Sequence, residues 1–149
     1  NAMGYGNLTL NDSNPKTQPN INYDYLNNEY DLARMREGLK MVLDIIESDP
    51  LQEHVVQVVS PTQSDLKDDD SQNNWLLRNV YTQHHSSGTC KMGTPDDGMA
   101  VVNQYCEVYG LNNLRVVDAS VMPDVIRANT NATTMMIAEK VADWIKNNK

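Results

Sequence analysis

Two neighbouring histidines carry the main concentration of titratable chemistry in the chain. His84 and His85 open the run His84-His85-Ser86-Ser87-Gly88-Thr89-Cys90-Lys91-Met92-Gly93, and the one other histidine is His54. Imidazole exchanges a proton near neutral pH, so a pocket that needs a base under ordinary conditions uses one. Gly88 and Gly93 permit a tight backbone path and close approach of a planar ligand. A second polar cluster, Asn129-Thr130-Asn131, lies near the C-terminus.

Other chemistries fit these residues less well. His84, His85, Cys90 and Cys106 are zinc-ligand types, but their spacing matches no usual zinc site. Ser86 or Ser87 beside a histidine hints at a hydrolase, yet no nucleophile elbow is present. Asp65, Asp68, Asp69 and Asp70 could hold calcium, but the run lacks the glycine and terminal glutamate of a loop site. It reads as a solvated loop capping the next helix. Taken alone, the histidine pair also has a purely structural reading. Only its joint occurrence with other motifs turns it into a site.

The elements that must position these groups follow from periodicity. Asn7 to Leu10 alternates polar and apolar residues as a half-buried strand does, and Pro19 to Tyr23 returns as an extended piece. Between them Asn11-Asp12-Ser13-Asn14-Pro15 is turn chemistry. The spacing of Leu32, Met35, Leu39, Val42, Leu43 and Ile46 predicts a helix over 29–47, capped by Asn28 with Asp31 in its first turn. Ser48-Asp49-Pro50 ends it or starts a short second turn. His54 to Val59 is β-rich and stopped by Pro61, with His54 structural or on the surface. A helix over 72–80 turns Trp75, Leu76 and Val80 inward. Residues 100–102, 107–109 and 114–118 read as short strands, the last inside a sheet. Val121 to Ala128 is irregular. The last helix begins near Asn131 or Ala132 and ends near Lys146, apolar around most of its circumference, with Lys140, Lys146 and Lys149 suited to its negative end.

The chain has 149 residues and a formal net charge of −8, which suits one domain or lobe and argues against nucleic acid and anionic membrane surfaces as partners. No apolar run approaches a membrane span and no secretory signal is visible. Two cysteines make no disulfide framework, and reduced thiols are expected, in keeping with a cytoplasmic protein. Asn1-Ala2 ahead of Met3 reads as a scar of tag cleavage.

Three ordered runs then match a known pattern: His85 to Gly93, Val116-Val117-Asp118-Ala119-Ser120-Val121-Met122-Pro123, and Asn129-Thr130-Asn131-Ala132. Together they resemble the C-terminal region of the glucose–methanol–choline (GMC) oxidoreductases, FAD-dependent enzymes that oxidise alcohols, and most of all the choline-dehydrogenase-like branch. Gly6 to Leu10 and Pro19 to Tyr25 also resemble the family's substrate lobe. The resemblance implies roles. His85 matches the active-site histidine, accepting the hydroxyl proton while hydride leaves the same carbon for flavin N5. Asn129 matches the second active-site position. Asp118 and Ala119 match a segment beside the flavin ribityl and phosphate part. Asn131, Ala132 and Thr133 match the segment beside the pyrimidine edge, where a helix start offers free N–H groups to negative charge. Asn103, Glu107 and Thr133 depart from residues frequent in the family.

The Gly-x-Gly-x-x-Gly turn that holds the FAD diphosphate in this family is not in the chain. The chain therefore resembles the C-terminal quarter of such an enzyme, with the missing N-terminal FAD-binding half as its expected partner and a small alcohol as substrate. Alone it is expected to retain no FAD. A catalytically inert remnant or binding module, and a lyase of the same family, are the alternatives. The implied fold is α+β: an antiparallel sheet packed on the helices of 29–47 and 72–80, plus a C-terminal strand and helix that would complete the FAD domain. Residues 1–2 are the scar and 3–95 the substrate-binding lobe ending in the histidine. Residues 96–149 return to the flavin and close with the terminal helix. Exposed apolar faces on that tail favour a homodimer.

Overall fold

The structure, a computed structural model, describes residues 2–147. Asn1 of the expected scar, Asn148, and Lys149, expected to suit the negative end of the last helix, lie outside the described residues. The chain divides into two compact units, Ala2–Tyr81 and Thr82 onward.

In the first unit β1 (Asn7–Thr9) pairs antiparallel with β2 (Asn20–Asn22), Leu8 opposite Ile21. The Asp12 carboxylate accepts the Asn14 N–H at 2.7 Å and shapes the connecting turn. Helix α1 (Glu29–Ile46) begins where its cap requires, with the Asn28 side chain accepting the Asp31 N–H at 3.0 Å. Asp31 is itself buried, and its carboxylate accepts the N–H groups of Met3 at 2.9 Å and Gly4 at 2.7 Å, tying the start of the chain to this helix. Helix α2 (Asp49–Gln52) is the short second turn, with Pro50 near its start. Helix α3 (Asp69–Asn79) begins three residues earlier than periodicity suggested. Asp68 caps it by accepting the Ser71 N–H at 2.8 Å, so the acidic run serves helix initiation, where negative charge is favoured. Leu76 is buried, and Arg36 on α1 reaches Asn73 on α3 at 2.7 Å.

Two expectations for this unit need correction. The packed pairs are α1 with α3, α1 with α2, and the two strands with each other, so the hairpin does not form a layer on the helices. Both strands are exposed throughout. Residues 54–59 pair with no strand; all six are exposed, Val56 at 99%. β-branched side chains favour a strand through cross-strand and same-face packing, and here nothing supplies it. His54 is accordingly a surface residue.

The second unit has a small core of Val102, Cys106, Val121 and Val141, with Met92, Ile137 and Trp144 packed against it. The strands expected at 100–102, 107–109 and 114–118 reduce to single bridges, Val102 with Met92 and Val108, and Glu107 with Arg115. Turns interrupt them too often for a ladder. Cys106, Gly110 and Asn113 all hold positive φ, at 62°, 76° and 60°. Helix α4 (Thr130–Lys146) buries Val141 and leaves Met135, Met136 and Ile145 more than half exposed. Among the described residues no helix is long and apolar enough to cross a membrane.

Candidate functional site

The second unit joins the first two of its three motifs through backbone hydrogen bonds and brings in the third by packing α4 on them. The N–H groups of Gly88, Cys90 and Met92 donate to the carbonyls of Ala119, Ser120 and Val121 at 3.4, 2.9 and 2.8 Å. Those carbonyls belong to a 3₁₀ turn over Ala119–Val121, and α4 packs on that turn. Gly88 is held at φ 84°, and a Cβ there would lie 3.4 Å from the Met122 carbonyl oxygen. Glycine is therefore used where the chain bends close to its partner.

The backbone also separates the two histidines. His84 sits at φ 61°, a left-handed conformation uncommon for a non-glycine residue. Its side chain is exposed while that of His85 is half-buried. His85 Nε2 lies 3.1 Å from Asn129 Nδ2, and His85 Nδ1 lies 3.2 Å from Thr130 Oγ1. An amide NH2 only donates, so the Nε2 atom facing it carries a lone pair. That is the protonation state a base requires.

Asn129 is the residue that precedes α4, yet its side chain makes no capping bond to the helix. Asn131 and Ala132 are exposed in the first turn of α4 and Thr133 is half-buried. A helix start without a side-chain cap leaves backbone donors for an external acceptor. Such donors suit a carbonyl or negatively charged acceptor. Asp118 is exposed and accepts the Ser120 N–H at 2.8 Å and the Ser120 hydroxyl, so its carboxylate caps the 3₁₀ turn that Ala119 begins.

Several other side chains lie elsewhere. Cys106 is buried in the core and Cys90 half-buried; both are free thiols. Among the described residues no three His, Cys, Asp or Glu side chains gather as a metal site. Asn103 and Glu107, two departures from the family pattern, contact each other at 2.8 Å, and Glu107 pairs with Arg115 at 2.8 Å. In the sequence Thr130 figures only as part of the Asn129-Thr130-Asn131 cluster, without a role of its own. Its signal was available only in its position, one residue after Asn129 and at the first residue of a helix.

Residues 4–138 match the family model described as GMC oxidoreductase, in its C-terminal domain. The chain is 37% identical to an oxygen-dependent choline dehydrogenase of Chromohalobacter salexigens over 97% of its own length and 26% of that protein's. It is 34% identical to one of Photobacterium profundum, over 96% and 25%. Among solved structures, pyridoxine 4-oxidase from Mesorbium loti superposes with a TM-score of 0.85 at 29% identity, covering 95% of this chain and 27% of that one. An R554A variant of Aspergillus oryzae RIB40 formate oxidase gives 0.87 at 29% identity, covering 99% and 26%. The chain thus spans about a quarter of the length of the relatives it matches. With its fold, its ordered motifs and the family model in agreement, the chain belongs to the GMC oxidoreductase family and corresponds to that family's C-terminal domain.

Proposed function

We propose that this chain supplies the proton-handling side of an FAD-dependent oxidoreductase that oxidises a small alcohol. FAD, when bound, supplies the acceptor for the hydride that leaves the substrate carbon. The observation that carries the reading is the approach of His85 Nε2 and Asn129 Nδ2 to 3.1 Å across 44 positions of sequence. A hydroxyl oxygen placed against both atoms gives its proton to Nε2 and accepts from the carboxamide. Once Nε2 is protonated it no longer accepts from Asn129, and the amide N–H is released to the oxygen that is becoming a carbonyl. Orientation by two fixed groups lowers the entropic part of the barrier.

Asn131, Ala132 and Thr133 would flank the flavin pyrimidine edge, and Asp118 with Ala119 the ribityl side. The phosphate cradle would come from an FAD-binding half outside this sequence. The chain on its own is therefore expected to bind FAD weakly or not at all. Micromolar binding in a fluorescence titration, with flavin bleaching on addition of alcohol, would contradict that division of labour.

The catalytic reading is tested by joining this chain to the complementary part of a choline dehydrogenase relative. With flavin retained, His85→Ala should slow anaerobic flavin reduction by roughly 10²- to 10⁴-fold. Asn129→Ala should slow it by roughly 10²- to 10³-fold, as loss of one oxyanion donor does. A holo-chimera in which His85→Ala reduces its flavin at the parent rate would sink the proposal.

A further inference from the structure

We propose that Thr130 is a positioning residue that fixes the tautomer of His85; as a role in the reaction this rests on the reading of His85 as the base. The argument follows from donor and acceptor chemistry alone. Asn129 Nδ2, at 3.1 Å from Nε2, can only donate, so Nε2 is the unprotonated nitrogen. A neutral imidazole then carries its proton on Nδ1, and the atom facing Nδ1 must accept it. That atom is Thr130 Oγ1, at 3.2 Å. Unlike an amide nitrogen, a hydroxyl has lone pairs to offer.

Thr130 is well placed to hold this bond. It is 8% exposed and is the first residue of α4, so its backbone is set by the helix. The Thr134 hydroxyl donates to the Thr130 carbonyl at 2.9 Å and ties it to the next turn. Asn129 and Thr130 are adjacent, so one stretch of backbone grips both ring nitrogens. The imidazole is held at both nitrogens, and a half-turn would put ring carbons in their places and lose both hydrogen bonds. When Nε2 takes up a proton, Nδ1–H can remain bonded to the same oxygen, so the ring keeps its orientation through the transfer.

The test uses the 149-residue chain itself and requires no cofactor. Nitrogen-15 labelling of the histidines, with His54→Gln and His84→Gln to assign the three rings, reads the tautomer from long-range proton–nitrogen correlations. At a pH where the ring is neutral, His85 should be protonated on Nδ1. In Thr130→Val, which keeps shape and removes the acceptor, the ring should move to a mixture or to the Nε2–H form. Thr130→Ser should restore the parent spectrum. A parent ring already protonated on Nε2, or a tautomer unchanged in Thr130→Val, overturns the proposal, and the parent measurement stands even if the valine variant fails to fold. In the flavin-bearing chimera Thr130→Val should cost roughly 10- to 100-fold in reduction rate with serine rescuing it, as loss of an orienting partner does. The two readings fail separately. A held Nδ1–H tautomer with a dispensable His85 removes the base, whereas an essential His85 with an indifferent tautomer removes Thr130.

Discussion

The Asn129 side chain turns away from the helix that it precedes and meets the His85 ring at 3.1 Å. Helix α4 therefore starts without the side-chain acceptor that usually satisfies one of its first N–H groups. Asn129→Ser, short enough to bond the helix and too short to reach the ring, should trade one for the other. A stabilisation of about 0.5–1 kcal/mol is expected in urea unfolding. The loss of the Asn129–His85 contact should appear as a changed His85 nitrogen spectrum.

Gly88 should tolerate no side chain. At φ 84° alanine is strained, and its Cβ would sit 3.4 Å from the Met122 carbonyl. Gly88→Ala should cost about 1–2 kcal/mol in chemical denaturation. Gly98, with no atom within 4 Å of a built Cβ and no positive φ, is the control: Gly98→Ala should leave stability within about 0.5 kcal/mol of the parent.

Asp31 should make the first unit acid-sensitive. Burial works to raise its pKa. The hydrogen bonds from Gly4, Asn28 and Met3, with the charge of Arg34, outweigh burial and hold the carboxyl below its ordinary value. A carboxyl depressed in the folded state contributes stability in full above its unfolded pKa, and loses it as pH falls through the folded value. Asp31→Asn mimics the protonated form. It should be less stable than the parent by about 1–3 kcal/mol at pH 7, and the gap should close as pH falls through the depressed folded value.

The two cysteines should differ in reactivity. Cys106 is 1% exposed, and burial pushes its thiol up despite the opposing charge of Arg115. A buried, protonated thiol is a poor nucleophile. Ellman's reagent at pH 8 should therefore modify Cys90 and leave Cys106 untouched until the unit opens. Equal rapid reaction of both thiols in the native protein would contradict the core placement.

The start of α1 was readable because its cause is local, whereas α3 begins three residues before its expected start. Asn28 announces α1 by side-chain chemistry within three residues, and the period of Leu39, Leu43 and Ile46 sets its length, while Asp68 as the individual cap of α3 emerged only in the structure. The sheet was not readable for the opposite reason. Val55, Val56, Val58 and Val59 favour a strand individually, but a ladder needs a partner that no local pattern reports. Val102 and Val108 do meet, and positive-φ turns on either side confine them to single bridges. The approach of His85 to Asn129 could be expected only through the family pattern, since no spacing rule joins positions 44 residues apart. Thr130 was given no role of its own because the helix was expected to begin one or two residues later.

The seam between residues 88–92 and the 3₁₀ turn is stitched entirely by main-chain groups. Amide hydrogens and carbonyl oxygens are common to nearly every residue, so the alignment of the two motifs does not depend on which side chains decorate them. Thr89 and Lys91, between the bonded amides, can therefore change identity while the ring of His85 keeps its address. A scaffold joined in this manner tolerates point changes along its rim while the geometry around that ring stays in place.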